Sequence, residues 1–351
     1  MSVVEAPATV RVDEVASVDA LRALAPEWAA LWARSPGATP FQHPAWLVPW
    51  WECFGEQPGW RLWTLAIRAG DRLVAVAPLF IHPGPDPRFR QLSPVGVGNS
   101  DYLGPIVDPA DGGGAIAAIL EHLLAHAERW DLCDLEELRA GDPLLAAPMP
   151  GGLGAEASPQ STCPVLALPD DAEAFFAARS AWLRRNLRRG TRRLEERGEL
   201  SFHTADADTL PEFVDAFFRL HEQRWRAQGR DGLLRGEAMR RFHRASSARL
   251  MAAGLLRLHG VRLDGRLVAI FHGLDGHGRV HAYLGGYEPE LGRDSPGTLI
   301  AAHAIEQAIA EGASELDFLR GQEKYKYDWG AVDRRTHRLR IRHARSPERP
   351  W

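Results

Sequence analysis

The sequence contains almost no lysine. Of the 42 lysine and arginine residues in the 351-residue chain, only Lys324 and Lys326 are lysines, and they alternate with Tyr325 and Tyr327. Arginine supplies every other basic side chain, so an amine kept at this place indicates a need for a compact charge with a tunable pKa, which a guanidinium does not provide. The competing interpretation is that two lysines in a solvated turn occur by chance. We treat residues 314–329 as the first candidate for chemistry.

Cysteine is also scarce. Cys53, Cys133 and Cys163 are odd in number and widely spaced, which argues against a disulfide framework and against a cysteine-based zinc site. We therefore expect reduced thiols in a cytoplasmic protein. The 14 histidines are scattered, and none forms a ligand-spaced pair beside a cysteine, so we expect no metal site.

Long hydrophobic runs are absent from the sequence. Residues 1–20 carry five charged side chains, and the most apolar segment, residues 115–127, contains Glu121 and two histidines. We therefore expect no targeting segment and no membrane span. A net charge of −4 gives no general attraction to nucleic acid or to anionic lipid.

The two halves of the chain repeat one order of elements. Two strands joined at Gly70-Asp71 correspond to two strands joined at Asp264-Gly265, and the sequence Arg-Leu-Val-Ala occurs at 72–75 and again at 266–269. A strand, a helix and another strand follow in both halves. This pattern predicts an internal duplication and an α/β (α+β) fold class, with tandem units that are each a mixed, mostly antiparallel sheet flanked by helices.

The predicted boundaries follow from composition. We place a first, degenerate unit at residues 1–164, a second unit with the Lys/Tyr segment at 165–345, and a tail at 346–351. Residues 141–164 are rich in Gly, Ala, Pro and Ser, which predicts an irregular connection. A helix is predicted from Asp171 to Arg197.

This predicted helix carries an unusual concentration of arginine. Four arginines at helical spacing share one face, namely Arg185, Arg188, Arg189 and Arg192. This face has three possible roles: a solvated surface, weak nonspecific binding of nucleic acid, or docking of a phosphate-bearing small substrate. We favour the third, because planar guanidinium groups match phosphate oxygens.

The order of elements from Leu210 to Arg320 resembles the GNAT acyltransferase fold, and individual motifs are most similar to its CelD-like branch of cellulose-biosynthesis-type acetyltransferases. A more distant resemblance is to Fem-type peptidyltransferases, which also carry two GNAT units. The matching motifs are Pro40-Phe-Gln-His-Pro-Ala-Trp46, Ser100-Asp-Tyr102, Arg184-Arg-Asn-Leu-Arg-Arg189, Glu222-Gln-Arg-Trp225, Ser295-Pro-Gly297, Asp317-Phe-Leu-Arg-Gly321, Tyr325-Lys326 and Trp329.

The resemblance implies a donor site at the start of the helix predicted near residue 299. Its residues are Arg293, Ser295, Pro296, Gly297 and Thr298, which would receive the pyrophosphate of acetyl-CoA. Pro296 and Thr298 stand where the family's phosphate loop has glycine-type residues, and this departure leaves the acyl donor open.

The resemblance also implies roles around the transferred acyl group. Tyr325 or Tyr327 would protonate the leaving thiolate, Lys326 would hold a phosphate, and His281, Tyr283 or His272 would act as the base. The remaining candidates for the acceptor site are Glu222, Arg224, Trp225, Asp317, Gly321, Trp329 and, in the first unit, Asp101 and Tyr102. We expect Asp317 to orient Lys326 or a turn of the backbone.

The expected activity is acyl transfer from acetyl-CoA to an amine or hydroxyl of a phosphate-bearing or saccharide-type acceptor in polysaccharide biosynthesis. Two alternatives stay open. One is a Fem-like transferase that uses aminoacyl-tRNA, which would make tRNA a partner. The other is a non-catalytic scaffold in exopolysaccharide assembly.

Overall fold

The structure, a computed structural model, describes residues 10–84, 86, 88–111 and 113–346. Its α-helices are α1 Val18–Ala33, α2 Pro44–Phe54, α3 Gly114–Ala125, α4 Pro143–Ala146, α5 Ala172–Ala177, α6 Ala181–Glu195, α7 Leu210–Ala227, α8 Glu237–Ala252, α9 Pro296–Ala310 and α10 Lys324–Asp328. Its strands are β1 Val10–Val15, β2 Arg61–Leu62, β3 Thr64–Ala69, β4 Arg72–Ala77, β5 Leu79–Pro83, β6 Arg90–Pro94, β7 Ile106–Val107, β8 Leu132–Arg139, β9 Leu153–Ala167, β10 Leu200–Thr204, β11 Leu256–Leu263, β12 Arg266–Gly276, β13 Arg279–Tyr287, β14 Glu315–Asp317 and β15 Val332–His343. Within these residues, no helix is both long and apolar enough to cross a membrane.

The first unit comprises residues 10–161 and 335–346 of the described chain. One sheet has the order β1-β3-β4-β7, and further strands pair in the order β2-β5-β6-β8, with β15 antiparallel to β8. Their inward faces and α3 share an apolar core in which Trp130 is fully buried. Alternation along the strands and helical spacing along α3 direct these side chains to one side, and their burial drives the packing.

The second unit comprises residues 162–334. Strands β10 to β13 are antiparallel in sequence order, β14 is parallel to β13, and the end of β9 is antiparallel to β14. Helix α9 connects β13 to β14 and packs its apolar residues, including Leu299 and Ile305, onto the sheet. This parallel pair with its helical crossover needs a long connection, which the 27 residues between Tyr287 and Glu315 provide.

The duplication is visible in the topology of each unit. In the second unit β13 and β14 are parallel across α9, and in the first unit β6 and β8 are parallel across α3. The predicted fold class is therefore confirmed: each unit is a mixed, mostly antiparallel sheet with flanking helices. The hairpins predicted at Gly70-Asp71 and Asp264-Gly265 are the β3–β4 and β11–β12 pairs.

The division of the chain differs from the boundaries expected from composition. The first unit ends at Ser161 rather than 164, and residues 335–346 return to it because β15 pairs with β8 between Thr336 and Ile341. The predicted irregular connection at 141–164 is wrong, since β9 occupies its second half, residues 153–164. Composition missed this strand because its hydrogen bonds come from distant partners, such as Val165 with Asp317.

The helix predicted from Asp171 to Arg197 is two helices. Asp171 caps α5 by accepting hydrogen bonds from two amides, and Ser180 caps α6 by accepting one from Leu183 N at 3.2 Å. A serine side chain that bonds to the backbone begins a new helix more readily than it continues an old one. The arginine-rich segment therefore forms a separate helix, α6, with its own orientation.

Candidate active site

The first turn of α9 is an unusual helix start. Ser295 precedes it in the left-handed conformation, with φ of 58°, and Pro296 is the first helical residue. The amides of Thr298 and Leu299 both donate to the carbonyl of Ser295, at 2.9 and 3.1 Å. Since proline has no N–H, Gly297 supplies the first-turn amide that the helix itself cannot satisfy.

Helix α6 packs against this turn at a glycine. A Cβ built on Gly190 would lie 2.7 Å from the carbonyl oxygen of Asp294, so a larger side chain would separate the two elements. Asn186 is one turn away, and its Oδ1 accepts from Ser295 Oγ at 3.3 Å and from Arg189 at 3.0 Å. Sequence reasoning had selected the arginines and missed the glycine and asparagine that bring α6 to the turn.

The arginine stripe divides into different environments. Arg189 is held beside the α9 turn through Asn186, and Arg192 pairs with Glu196 at 3.3 Å. Arg185 and Arg188 are exposed. Two further arginines, outside the stripe, fasten α6 to the segment before α9: Arg193 donates to the carbonyl of Arg293, and Arg197 pairs with Asp294 at 2.9 Å. Arg293 thus contributes its backbone to this contact.

Strand β13 has an open edge that leads towards α9. It pairs with β14 only from Arg279 to His281, while the strand itself continues to Tyr287. On its other side the register with β12 shifts between His272 and Gly273, which leaves Tyr283 as the extra residue of a bulge. Bulges redirect side chains and often lie next to functional sites.

Tyr287 connects the end of β13 to two other elements. A Cβ on Gly297 would lie 3.0 Å from its ring, and the guanidinium of Arg224, on α7, is 5.5 Å from the ring centre. Tyr287 therefore brings the donor candidate Gly297 and the acceptor candidate Arg224 to the same place. The sequence analysis did not select it, although a tyrosine at the end of the strand before the α9 turn was a usable signal.

The other two candidates on α7 have local partners. Glu222 pairs with Arg226 at 2.6 Å and with Arg240 at 3.5 Å. Trp225 donates from Nε1 to His221 Nε2 at 2.9 Å. These contacts fix α7 against its surroundings, and Arg224 is the member of the trio with a direct contact to Tyr287.

Lys326 lies in a different setting from the one expected. Its side chain is 4% exposed, and Nζ donates to the carbonyls of Leu319, Arg320 and Gly321 at 3.2, 2.8 and 3.0 Å. Glu323 lies 2.9 Å from the same nitrogen. An ammonium has three protons, so this geometry leaves none for a phosphate. Lys326 holds the turn after β14, and we do not retain it as a phosphate ligand.

The neighbours of Lys326 also shape that turn. Asp317 Oδ1 accepts from the amide of Leu319 at 2.8 Å, which agrees with its expected role in a backbone turn. Leu319 and Gly321 both have positive φ, 56° and 105°. Trp329 is 1% exposed in the core, with Phe176 at 6.2 Å, so these residues stabilise the segment from inside.

Tyr325 is the tyrosine of the Lys/Tyr segment with the more exposed side chain. It is 45% exposed, and its ring meets Phe318 edge-on at 6.0 Å. Partial burial and the Glu323 carboxylate raise the pKa of its phenol to about 12, against the opposing charge of Arg224. The phenol therefore keeps its proton at neutral pH. Tyr327, by contrast, donates to Asp333 at 2.7 Å.

Of the three candidate bases on the strands, the two histidines are buried and the tyrosine is partly exposed. His281 is 2% exposed, and its Nδ1 lies 3.3 Å from the carbonyl of Leu274. His272 is fully buried, and burial lowers its pKa to about 4, which makes it a weak base. Tyr283 is partly exposed and lies 5.7 Å from the rings of both His243 and His272. It is the member of this group that a substrate can reach.

The first unit contains a separate cavity of about 230 Å³. Tyr102, which has φ of 58°, lines it together with Arg139, whose guanidinium is 5.9 Å from the tyrosine ring centre. Asp101 is buried next to it in sequence but does not line the cavity. Asp142 is a lining residue, and burial raises its pKa to about 6 despite the charge of Arg139.

This raised pKa predicts a pH-dependent stability. A carboxyl that binds its proton more tightly when folded stabilises the fold fully below pH 4, and that contribution is lost as pH rises through 6. Asp142→Asn removes the buried negative charge and keeps a side-chain oxygen for the amide of Leu144. We therefore expect this substitution to stabilise the first unit by about 1 kcal/mol at pH 8, a value reduced from that of the full pKa shift because water in the cavity screens the charge. Thermal unfolding at pH 8 and pH 4 measures this. An equal effect at both pH values would contradict it.

Sequence and structure comparisons bear on the second unit and on the whole fold. Residues 181–327 match the sequence profile of the acetyltransferase (GNAT) domain family. No curated protein matches the chain in sequence.

Solved structures are similar in fold at low sequence identity. FemX has a TM-score of 0.65 at 13% identity, covering 94% of this chain and 96% of that one. A conserved protein of unknown function from Bacteroides thetaiotaomicron has a TM-score of 0.52 at 11% identity, covering 95% and 100%. The C-terminal domain of a putative lysylphosphatidylglycerol synthetase from Agrobacterium fabrum has a TM-score of 0.51 at 13% identity, covering 77% and 81%. Residues 181–327 are therefore similar in sequence to the acetyltransferase (GNAT) domain family, and the chain as a whole shares its fold with FemX.

Proposed function

We propose that the chain is an acyltransferase that uses acetyl-CoA as donor and an amine or hydroxyl of a phosphate-bearing or saccharide-type molecule as acceptor. We also propose that it is a member of the CelD-like branch. The observation that carries this proposal is the convergence of three features at Tyr287: the open edge of β13, the Gly297 amide at the start of α9, and the cation of Arg224.

The donor is proposed to lie along β13 and end at α9. Strand β13 continues beyond the end of its pairing with β14 at His281, and this part of the strand is proposed to lie along the amide-containing arm of the cofactor. The helix start carries partial positive charge and the unsatisfied Gly297 amide, both of which favour a pyrophosphate. Arg189 adds a guanidinium beside the same turn. Together these groups compensate for the amide that Pro296 lacks.

The transfer step needs a proton donor at the leaving group. The acceptor nitrogen or oxygen forms a bond to the thioester carbonyl carbon and loses its proton to solvent, the C–S bond breaks, and the sulfur leaves as a thiolate. Tyr325 is proposed to hydrogen-bond to this sulfur. A phenol with a pKa of about 12 gives up its proton reluctantly, so its main contribution is the hydrogen bond, with final protonation of the thiolate from solvent.

The acceptor is proposed to bind beside Tyr283 and Arg224. Both side chains are partly exposed, one on the bulge of β13 and the other on α7. Arg185 and Arg188 are exposed cations on α6 that suit a phosphate-bearing acceptor. The buried histidines next to Tyr283 stay neutral, because burial lowers their pKa values, and they keep its surroundings uncharged.

A binding experiment tests the donor site. We expect Arg189→Ala to weaken acetyl-CoA binding by about tenfold, the value of one charge-assisted hydrogen bond. Arg184→Ala is the matched control, because Arg184 is exposed on the same helix outside the stripe. Isothermal titration of the purified chain measures both. Equal affinities for the two variants, or no binding of acetyl-CoA by the natural chain, would remove the proposed donor site.

A Fem-like transferase that uses aminoacyl-tRNA is the second candidate. It is favoured by the similarity to FemX over 94% of this chain, which extends through both units. Ligand binding by the purified chain distinguishes the candidates. Binding of acetyl-CoA but not of charged tRNA supports the first candidate, and binding of charged tRNA but not of acetyl-CoA supports the second. If the chain binds neither ligand, the non-catalytic scaffold is supported.

A further inference from the structure

In the first unit, β1 and α3 bring three metal-binding side chains together. They are Glu14, His122 and His126, whose ligating atoms all lie within 4.8 Å of one another. Glu14 Oε1 is 2.9 Å from His122 Nε2 and 3.9 Å from His126 Nε2. His122 lies in the last turn of α3 and His126 is the residue that ends this helix, and their ring centres are 4.2 Å apart.

The spacing suits a small tetrahedral ion. Zinc binds nitrogen and oxygen ligands at about 2.0 to 2.2 Å, which places neighbouring ligand atoms about 3.3 Å apart. The observed separations of 2.9 and 3.9 Å lie on either side of this value. The third separation, between the histidine nitrogens, is within 4.8 Å, so the site forms when side-chain rotations bring these two nitrogens closer together.

The tautomer of one histidine is already set for a metal. His126 Nδ1 lies 2.9 Å from the carbonyl of His122, so it carries the proton and leaves the Nε2 lone pair directed to Glu14. The three side chains are 29, 15 and 28% exposed in chain order, which gives an ion access and leaves room for water. Three protein ligands with an open fourth position are the donor set of accessible zinc sites.

Arg129 opposes the binding of a cation at this site. It contacts both oxygens of Glu14, at 3.0 and 2.9 Å, and its guanidinium is 5.4 Å from the Trp63 ring centre. An ion at Oε1 leaves the contact to Oε2 in place. The nearby cation nevertheless repels a divalent ion, and this gives the site a clear experimental signature.

We propose that Glu14, His122 and His126 bind a zinc ion, which fastens β1 to α3. This revises the sequence-based expectation of no metal, which considered histidines only beside cysteines. The signal was present as His-x-x-x-His in residues 122–126, but its carboxylate is 108 residues away in sequence. The proposal concerns the first unit and does not depend on the proposed acyl transfer.

The test uses the full chain without an affinity tag, stripped of metal by a chelator and dialysed. Titration with zinc chloride is followed by calorimetry, and titration with cobalt chloride by visible absorption, because tetrahedral cobalt has a strong spectrum. We expect one equivalent of zinc to bind and the cobalt spectrum to appear.

Variants locate the site. His122→Gln and His126→Gln should each weaken zinc binding at least tenfold and abolish the cobalt spectrum, whereas His203→Gln, an exposed histidine of the second unit, should leave both unchanged. Arg129→Gln should bind zinc more tightly, because it removes the repelling charge. Absence of zinc binding, or binding that survives both substitutions on α3, would overturn the proposal and leave these residues as an ion-pair network.

Discussion

Lys326→Met is expected to reduce the free energy of unfolding of the second unit by about 3 to 5 kcal/mol. The substitution removes the proton donor of three backbone carbonyls, at residues 319–321, and the partner of Glu323. Those carbonyls sit in a turn with two positive φ values, and the Lys326 side chain that binds them is 4% exposed. Hydrogen exchange of residues 315–330 and denaturant unfolding measure the loss.

Lys324 provides the matched control for this experiment. Its side chain is 85% exposed and pairs with Asp328 at 2.7 Å on the surface of α10. Lys324→Met should therefore cost only about 0.3 kcal/mol. Lys326→Arg should not restore stability, because a planar guanidinium cannot direct three protons to the three carbonyls as an ammonium does. Equal stability of the two methionine variants would show that the contacts of Lys326 do not hold the turn.

Tyr325→Phe is expected to lower kcat by about 100-fold with a small change in KM. The hydroxyl is proposed to act on the departing sulfur, which carries charge only as the C–S bond breaks, so its loss raises the barrier and leaves substrate binding intact. The measurement is steady-state release of CoA thiol, once an acceptor has been identified by screening amines and sugar phosphates.

Tyr327→Phe is the control for the loss of a hydroxyl in the same segment. Tyr327 donates to Asp333 and is not proposed to contact the donor. We expect its kcat to remain within about twofold of that of the natural chain. If Tyr325→Phe keeps full activity, or both variants lose activity equally, Tyr325 is not the group at the sulfur.

The pH profile supplies a second readout for Tyr325. Burial and Glu323 raise its pKa from the ordinary value of about 10 to about 12, so the protonated form persists as pH increases. We expect kcat to show no decline attributable to this phenol between pH 8 and 10. A declining limb near pH 10 that is absent from Tyr325→Phe would contradict the raised pKa of this phenol.

Local sequence was sufficient for much of the fold. The Gly70-Asp71 and Asp264-Gly265 turns and the alternating residues on either side predicted both hairpins, and the order of strand, helix and strand after the second hairpin is that of β13, α9 and β14. These features depend on near neighbours in the chain. The strand β9 was missed because its partners are distant and its composition is that of a loop.

The candidate site was less predictable than the fold. The rarity of lysine directed attention to residues 314–329, which stay a prediction, but Lys326 is turned inward to three carbonyls, whereas the adjacent Tyr325 is 45% exposed. On α6 the arginines were evident, whereas the contact with α9 depends on Gly190 and Asn186. A side chain's chemistry can be read from its residue type, while its direction depends on packing.

The sequence by itself determined the fold class, the duplication, the hairpins and the basic character of α6, because these follow from periodicity, turn chemistry and charge along neighbouring residues. Only the tertiary structure decided that Tyr287 meets Gly297 and Arg224, that Lys326 is enclosed, and that Glu14 reaches the histidines of α3. The physical reason is that the contacts of Tyr287 and Glu14 join different elements, whose positions are set by packing, while the direction of the Lys326 side chain depends on the backbone of the turn around it.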